Sequence, residues 1–392
     1  MSKSKIPNIL AIDTSRDPTT PTASLGASET APLILAIDTS CDETAVAVTQ
    51  GATILSNVIW SQASEHAKFG GVMPSLAQRM HEERIDWVVK KAIQDSRYKI
   101  QDIEAVAVTA GPGLAIALEV GIRKAKEMAK ELKIPLIPVN HVEGHLLSPL
   151  AFPRTTPHPP PILGGGIKEG GISFPAFGLV VSGGHTELIL IKKIGKYEIL
   201  AQTTDDALGE ALDKAARMLG LGYPGGAILE KMARSGKPKS YSLPLPMARH
   251  QDKSAFSYSG LKTAFYRLIS AQGPVLSAQQ VYDLAASFQD RAFEHLVRVC
   301  SRTIHDSQFT IHDLLLGGGV GANTELRKRL RKMCRELGLN LRVPYSAKLY
   351  GDNAGMIGVA AGFKILGARY QMPDLKKIDR VPRWKINEIY DL

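Results

Sequence analysis

Apolar and polar positions fall into two similar successions along the chain. The first opens on the unbroken apolar run Ile34-Leu35-Ala36-Ile37, enters the polar turn Asp38-Thr39-Ser40-Cys41-Asp42-Glu43-Thr44, and leaves through Ala45-Val46-Ala47-Val48. That pattern predicts a buried strand, a tight turn and a returning strand. Thr53 to Trp60 reads as a third strand. Pro74 stands where a helix accepts proline in its first turn, and Leu76, Met80, Ile85, Trp87 and Val88 supply an apolar face behind it. Ile103 to Val108 is a short buried strand and Thr109 to Leu114 a loop. A helix then runs from about Ala115 to Leu132, a strand from Ile134 to Val139, and a further helix from about His141. The predicted order is β-β-β-α-β-α-β-α.

The second succession repeats the first. Phe177 to Val181 is a strand, Ser182-Gly183-Gly184-His185 a turn, Thr186 to Lys192 the returning strand and Tyr197 to Gln202 a third. Helices follow around Leu208–Leu219, Leu261–Ser270 and Tyr282–Ile304. The buried strand Leu314–Leu316 then runs into Gly317-Gly318-Gly319-Val320-Gly321-Ala322-Asn323. A helix to about Leu337, the strand Leu341–Val343 and a helix from Asn353 to Leu366 close the series. Two halves with one element order, each opening on a hairpin with a polar turn, predict two similar α/β lobes around a cleft. The expected division is lobe I over 33–147, with a helix in 353–380 crossing back to it, and lobe II over 148–352. A Pro- and Gly-rich insertion over 152–175 lies at the junction. Residues 9–15 repeat 34–40 letter for letter, but Arg16-Asp17-Pro18 and the Thr/Pro tract beyond deny that copy a returning strand. Residues 1–32 therefore read as a flexible lead-in carrying a decoy strand.

Composition narrows the class. At 392 residues the chain exceeds what one core usually organises. Lys and Arg outnumber Asp and Glu by 48 to 38, a net charge of +10 that suits a polyanion partner such as RNA. Cys41, Cys300 and Cys334 have neither disulfide-framework nor Cys-x-x-Cys spacing, which favours a reducing compartment. No apolar run reaches the roughly 18 residues of a membrane helix, and Met1 to Pro7 makes a poor signal peptide. A cytoplasmic protein with no membrane association is the expectation.

The chemistry gathers at a few places. In His141-Val142-Glu143-Gly144-His145 the histidines stand at i and i+4, so on a helix both imidazoles reach one face and one metal ion; two unrelated histidines at a helix start fit the same letters. A zinc protease of the His-Glu-x-x-His type needs glutamate directly after the first histidine, and Val142 occupies that place. Asp352, before a helix, is a candidate third ligand or an N-cap. Two histidines and a carboxylate leave open positions suited to iron or zinc. Ser182-Gly183-Gly184 and Gly317-Gly318-Gly319 each follow a strand and let backbone N–H groups approach a nucleotide, though neither is a P-loop or a Rossmann fingerprint. Asp213, Gly226 and Asn323 are candidates for the nucleoside end; a solvated helix residue, a helix-breaking turn and an N-cap are their plainer readings. His66 to Pro74 mixes base, aromatic and glycine, which suits a loop facing a substrate or partner; an ordinary strand-to-helix connection fits the same spacing.

Taken together these residues resemble the tRNA threonylcarbamoyladenosine-forming transferases, the bacterial TsaD family. The resemblance rests on Ile37 to Thr44, His66 to Pro74, Thr109 to Leu114, Asn140 to His145, Val181 to Thr186, Asp213 with Gly220 to Gly226, Phe256 to Thr263, Gly318 to Asn323, and Asp352-Asn353. It implies an actin/Hsp70-like two-lobed fold of RNase H-like units, and transfer of threonylcarbamoyl from threonylcarbamoyl-adenylate to the adenosine 3′ of the anticodon in ANN-decoding tRNAs, releasing AMP. It further implies His141, His145 and Asp352 as ligands of one divalent metal, iron with zinc as the alternative. Val180, Val181, Ser182, Gly183, Gly184, Asp213, Gly226 and Asn323 would contact the adenylate, and Asp42 and Glu43 would stand by the transferred group as catalytic carboxylates. The implied partners are tRNA, a smaller same-fold subunit and a P-loop ATPase. Ser75, where the family usually has an acidic residue, and Asp38, where glutamate is commoner, depart from the pattern. A non-catalytic subunit of the same fold would lack the histidine pair, and an actin-like phosphotransferase would not explain it.

Overall fold

The computed structural model describes residues 31–155, 172–248, 254–307, 309–366 and 373–390. The upstream copy at 9–15 and the middle of the predicted insertion lie outside them. The downstream copy forms β1 (Leu33–Asp38), flanked by β2 (Glu43–Gln50) and β4 (Ala105–Gly111). With β3 (Thr53–Ser61), β5 (Leu136–Asn140) and β6 (Phe152–Pro153) these make a six-stranded sheet in the order β5-β4-β1-β2-β3-β6. Strands β1, β2 and β3 run antiparallel, while β4 and β5 continue parallel to β1.

The second sheet consists of β7 (Ala176–Val181), β8 (Thr186–Lys193), β9 (Lys196–Thr203), β10 (Ala255–Phe256), β11 (Asp313–Gly317) and β12 (Asn340–Arg342). Its order, β12-β11-β7-β8-β9-β10, matches the first sheet position for position, with the same antiparallel hairpins and parallel flanks.

The apolar alternation decides which residues face where. Leu33, Leu35 and Ile37 pack against α2 (Pro74–Ser96) and α3 (Ala115–Leu132), while Ile34 and Ala36 point to the opposite face. There they meet α4 (His141–Leu147) and α10 (Ala354–Leu366), through Val142, Leu146, Ile357 and Val359. The second sheet reaches the same cluster with Val180, Ile189 and Leu315, so α4 and α10 lie between the sheets. Its other face is covered by α5 (Leu208–Met218), α6 (Gly225–Ala233), α7 (Ser259–Ser270), α8 (Ala278–His305) and α9 (Thr324–Glu336). No helix among the described residues is long and apolar enough to cross a membrane.

Several expectations change. The short helix α1 (Ala63–Ala67) takes in His66 and Ala67, the first two residues of the stretch expected to be a loop. Trp87 is 52% exposed; the buried face of α2 runs instead through Ala77, His81, Ile85, Val88 and Ala92. Strand β4 continues through Thr109 to Gly111, where a loop was expected. The turn expected at Gly226 is the second residue of α6.

Candidate metal centre and cleft

Helix α4 starts where β5 ends. Asn140 caps it by accepting the N–H groups of Val142 (2.9 Å) and Glu143 (3.3 Å), so His141 stands in the first turn and His145 one turn later on the same face. The two rings meet edge to face with centroids 4.7 Å apart. At the entrance to α10, Asn353 Oδ1 accepts the Met356 N–H (3.0 Å), which leaves Asp352 free of the capping role. Its Oδ1 instead lies 3.0 Å from His145 Nε2 and 3.5 Å from His141 Nε2. The three potential ligand atoms fall within 4.8 Å of one another, although α4 and the segment before α10 are far apart in sequence.

This donor set, two imidazole nitrogens and one carboxylate oxygen in a buried pocket, fits a borderline divalent cation. The electrostatics agree. Burial disfavours a charged His141, yet Asp352 beside its Nε2 and Asp38 beyond its Nδ1 outweigh that and lift it to about 9. Burial and the His141 charge hold His145 below the ordinary imidazole value. Against the cost of its own burial, the two histidines hold Asp352 well below the carboxylate range. The pocket thus favours positive charge beside Asp352. Behind it, Asp38 Oδ2 lies 3.9 Å from His141 Nδ1, and both atoms are buried without a hydrogen-bond partner.

The turn between β1 and β2 borders this pocket. Asp42 is buried, and Glu43 Oε1 accepts from Ser61 Oγ (3.3 Å). Burial, then the charges of Asp352 and Asp42, push Glu43 well above the usual carboxylate value. The Asp42 charge also acts on Asp213 and Tyr223, which belong to the second half. The charges of this turn are therefore felt both by groups of the first half and by Asp213 and Tyr223 of the second.

Of the other residues singled out, Val180 and Val181 bury their side chains, so only their backbone is available to a ligand. Gly183 and Gly184 are exposed, and a Cβ on either would meet nothing within 4 Å. Gly317 and Gly318 are required by close approach. A Cβ on Gly317 would lie 2.0 Å from the His145 carbonyl oxygen, and one on Gly318 (φ +88°) 2.3 Å from that of Val181. Asp213 is no plain solvated residue: its Oδ1 accepts the Gly226 N–H (2.7 Å) at the start of α6. Asn323 caps α9 by accepting from Glu325 and Leu326, and donates to Gln289 Oε1 (2.9 Å). Its side chain is spoken for within the fold. His185, quoted in the sequence only as part of a turn, brings its ring centroid 6.2 Å from that of His141. Burial and the two neighbouring histidines depress it to about 3. Its place beside a glycine pair was the available signal.

The family model described as tRNA N6-adenosine threonylcarbamoyltransferase matches residues 53–359. A protein of that name from Trichlorobacter lovleyi is 41% identical over 336 residues, 86% of this chain and 91% of its own length. The chain belongs to the tRNA N6-adenosine threonylcarbamoyltransferase family. Another member, from Syntrophotalea carbinolica, is 42% identical over 80% of this chain and 86% of its own. Like the transferases it matches, this protein is an acyltransferase acting on tRNA. Its two-sheet architecture is the actin-like one: HypF from T. kodakarensis superposes with a TM-score of 0.54 at 14% identity, over 87% of this chain and 48% of that one, a likeness of fold alone.

Proposed function

We propose that this transferase moves threonylcarbamoyl from threonylcarbamoyl-adenylate to the exocyclic amine of the adenosine 3′ of the anticodon in ANN-decoding tRNAs, with release of AMP. The observation that supports this most is the meeting of the His141, His145 and Asp352 cluster with the Asp42–Glu43 turn at the boundary of the two halves. His141, His145 and Asp352 would hold one divalent metal, iron or alternatively zinc. Bound there, it would supply positive charge for the oxygen that gains negative charge as the amine attacks. The backbone of residues 180–184, where the Ser182 N–H is already donated to the His185 carbonyl, forms with Asp213, Gly226 and the Asn323 region the wall that orients the adenylate. Asn323, with both ends of its amide hydrogen-bonded inside the fold, shapes the wall, whereas Asp213, whose Oδ1 holds the Gly226 N–H, keeps Oδ2 to accept from a ribose hydroxyl. Asp42 or Glu43 takes the proton leaving the amine; burial, by raising Glu43 above the usual carboxylate value, makes its ionised carboxylate the stronger base.

In this reading lobe I spans 33–147 with α10 returning to it, lobe II spans 148–352, and the reaction occupies the cleft between them. The basic surface meets tRNA in the cytoplasm, and a smaller same-fold subunit and a P-loop ATPase assist. The test is incubation with threonylcarbamoyl-adenylate and an ANN-decoding tRNA, followed by nucleoside analysis. Wild type, with its partners, forms the modified adenosine and His141→Ala does not; absence of product from wild type rejects the reading.

A further inference from the structure

The segment from His66 to Pro74 was expected to face a substrate or partner; Lys68, Phe69 and Met73 are exposed, whereas His66, with Gln62 before it, turns inward. Gln62, His66 in α1 and His81 in α2 are all fully buried. They are joined end to end. Met73 N–H donates to His66 Nδ1 (3.3 Å), His66 Nε2 meets Gln62 Oε1 (3.0 Å), Gln62 Nε2 meets His81 Nδ1 (3.3 Å), and His81 Nε2 meets the Cys41 carbonyl (3.0 Å). The polarity of this chain is fixed by its ends. A backbone N–H can only donate and a backbone carbonyl can only accept, so both imidazoles must be neutral with the proton on Nε2, and Gln62 can sit only one way round. Thr44 Oγ1 (2.8 Å from His81 Nδ1) donates in the same sense, and Gln62 Nε2 also reaches the Ala77 carbonyl (3.4 Å). Burial lowers the His81 pKa and so agrees with a neutral ring.

We propose that the buried chain His66–Gln62–His81 sets the conformation of the turn carrying Asp42 and Glu43, making Gln62 and His81 positioning residues for threonylcarbamoyl transfer. The point of application is specific. His81 holds the Cys41 carbonyl, and the Gln62 backbone N–H holds the Asp42 carbonyl (3.0 Å). These are the carbonyls of the two peptide planes that flank Asp42, so the network holds its φ and ψ and hence the direction in which its side chain leaves the backbone. A cluster of buried polar groups in a helix–sheet interface is costly unless every member is paired, and here each ring nitrogen and both ends of the amide are. An apolar filling would pack the same space and keep the backbone N–H of residue 62 on the Asp42 carbonyl, but it would leave the Cys41 carbonyl without its side-chain donor.

The inference rests on the Asp42–Glu43 turn taking part in transfer, and the experiment separates the two. Single-turnover transfer, the dissociation constant for threonylcarbamoyl-adenylate and urea unfolding are measured for full-length wild type, His81→Leu, Gln62→Leu, His81→Gln, Asp42→Asn and Glu43→Gln. Misplacing a reacting group by a fraction of an ångström to an ångström slows a reaction up to about 100-fold. His81→Leu and Gln62→Leu are expected to lose about 30-fold or more in rate while adenylate affinity stays within about threefold. His81→Gln, which can still donate to Cys41, is expected to recover most of that loss. Folded leucine variants that transfer at the wild-type rate overturn the proposal, as does a His81→Gln no faster than His81→Leu. Wild-type rates for both Asp42→Asn and Glu43→Gln instead overturn the reading of the turn, and the proposal with it. Should the leucine variants not fold, nitrogen-15 spectra of histidine-labelled wild type decide: His66 and His81 must both appear as neutral Nε2–H tautomers, and any other form refutes the chain.

Discussion

Asp38 ends β1 with Oδ1 accepting the Ser40 N–H (3.1 Å) and Oδ2 3.9 Å from His141 Nδ1. If His141 holds a metal as proposed, the Asp38 charge behind its Nδ1 favours that metal, and losing a carboxylate in this place commonly lowers metal affinity by about 10- to 100-fold. Asp38→Asn should show that drop in a chelator-competition titration; unchanged affinity would assign Asp38 a role in the turn alone. At this scale the sequence was readable wherever the geometry is local. His141 and His145 share a face because four residues make about one turn, and Asn323 caps because its amide reaches two N–H groups just ahead. Asp352 was not readable that way. Its approach to the histidines depends on α10 packing back onto the first sheet, and spacing says nothing of that; the residues offered Asp352 as third ligand or N-cap alike, and only the family resemblance favoured the ligand. His185 went unassigned for the same reason, since its neighbours belong to α4.

Helix α8 illustrates how an element carries a pH response. His295, buried on α8, accepts the Ser257 N–H at Nε2 (3.1 Å) and faces the rings of Phe256 and Tyr258. Burial, with repulsion from Arg298, lowers it to about 4 from the ordinary 6.5. The unfolded chain therefore binds the extra proton between those values. The His295 contribution is complete above about pH 6.5 and drains as pH falls toward 4, by at most about 3 kcal/mol. Urea unfolding of wild type and His295→Gln across that window should show the wild type losing stability faster; parallel curves would remove His295 from the account. Element positions were mostly legible because period-2 and period-3.6 patterns are strong here. The phase of α2 was not. Counting apolar residues drew Trp87 inward, whereas the helix buries Ala77 and His81, one small and one polar, that a hydrophobic pattern does not score. Helix α6 was missed because two glycines and a proline read as a turn, although Asp213 satisfies the Gly226 N–H in its first turn.

On the scale of the whole molecule, Glu143 is the residue that ties the halves together. It lies on α4 between the two histidines. Its Oε2 pairs with Lys364 of α10 (2.9 Å), and its Oε1 accepts from Tyr197 of β9 in the second sheet (2.8 Å). Removing one member of a buried pair strands the other, so Glu143→Ala should cost about 3 kcal/mol or more in urea unfolding. A loss within experimental error would mean that water reaches Lys364. The repeated element order made the two-sheet plan legible, but nothing local foretold that α4 and α10 sit between the sheets. Nor did it foretell the C-terminal segment, where Val381 N–H donates to Ala110 O (2.7 Å) and Asn140 Nδ2 donates to Trp384 O (3.1 Å). The Trp384 indole lies 5.4 Å from Lys364 Nζ and is 5% exposed, whereas Trp87 is open to solvent. Of the three tryptophans, Trp60 lies under the Arg84 guanidinium. Exchanging Trp60 and Trp87 for phenylalanine would leave one emitter, at the seam where the tail, α4 and α10 meet. Its emission should be blue while the tail is seated and shift to the red when the tail lifts, giving an optical readout of the seam without any attached dye.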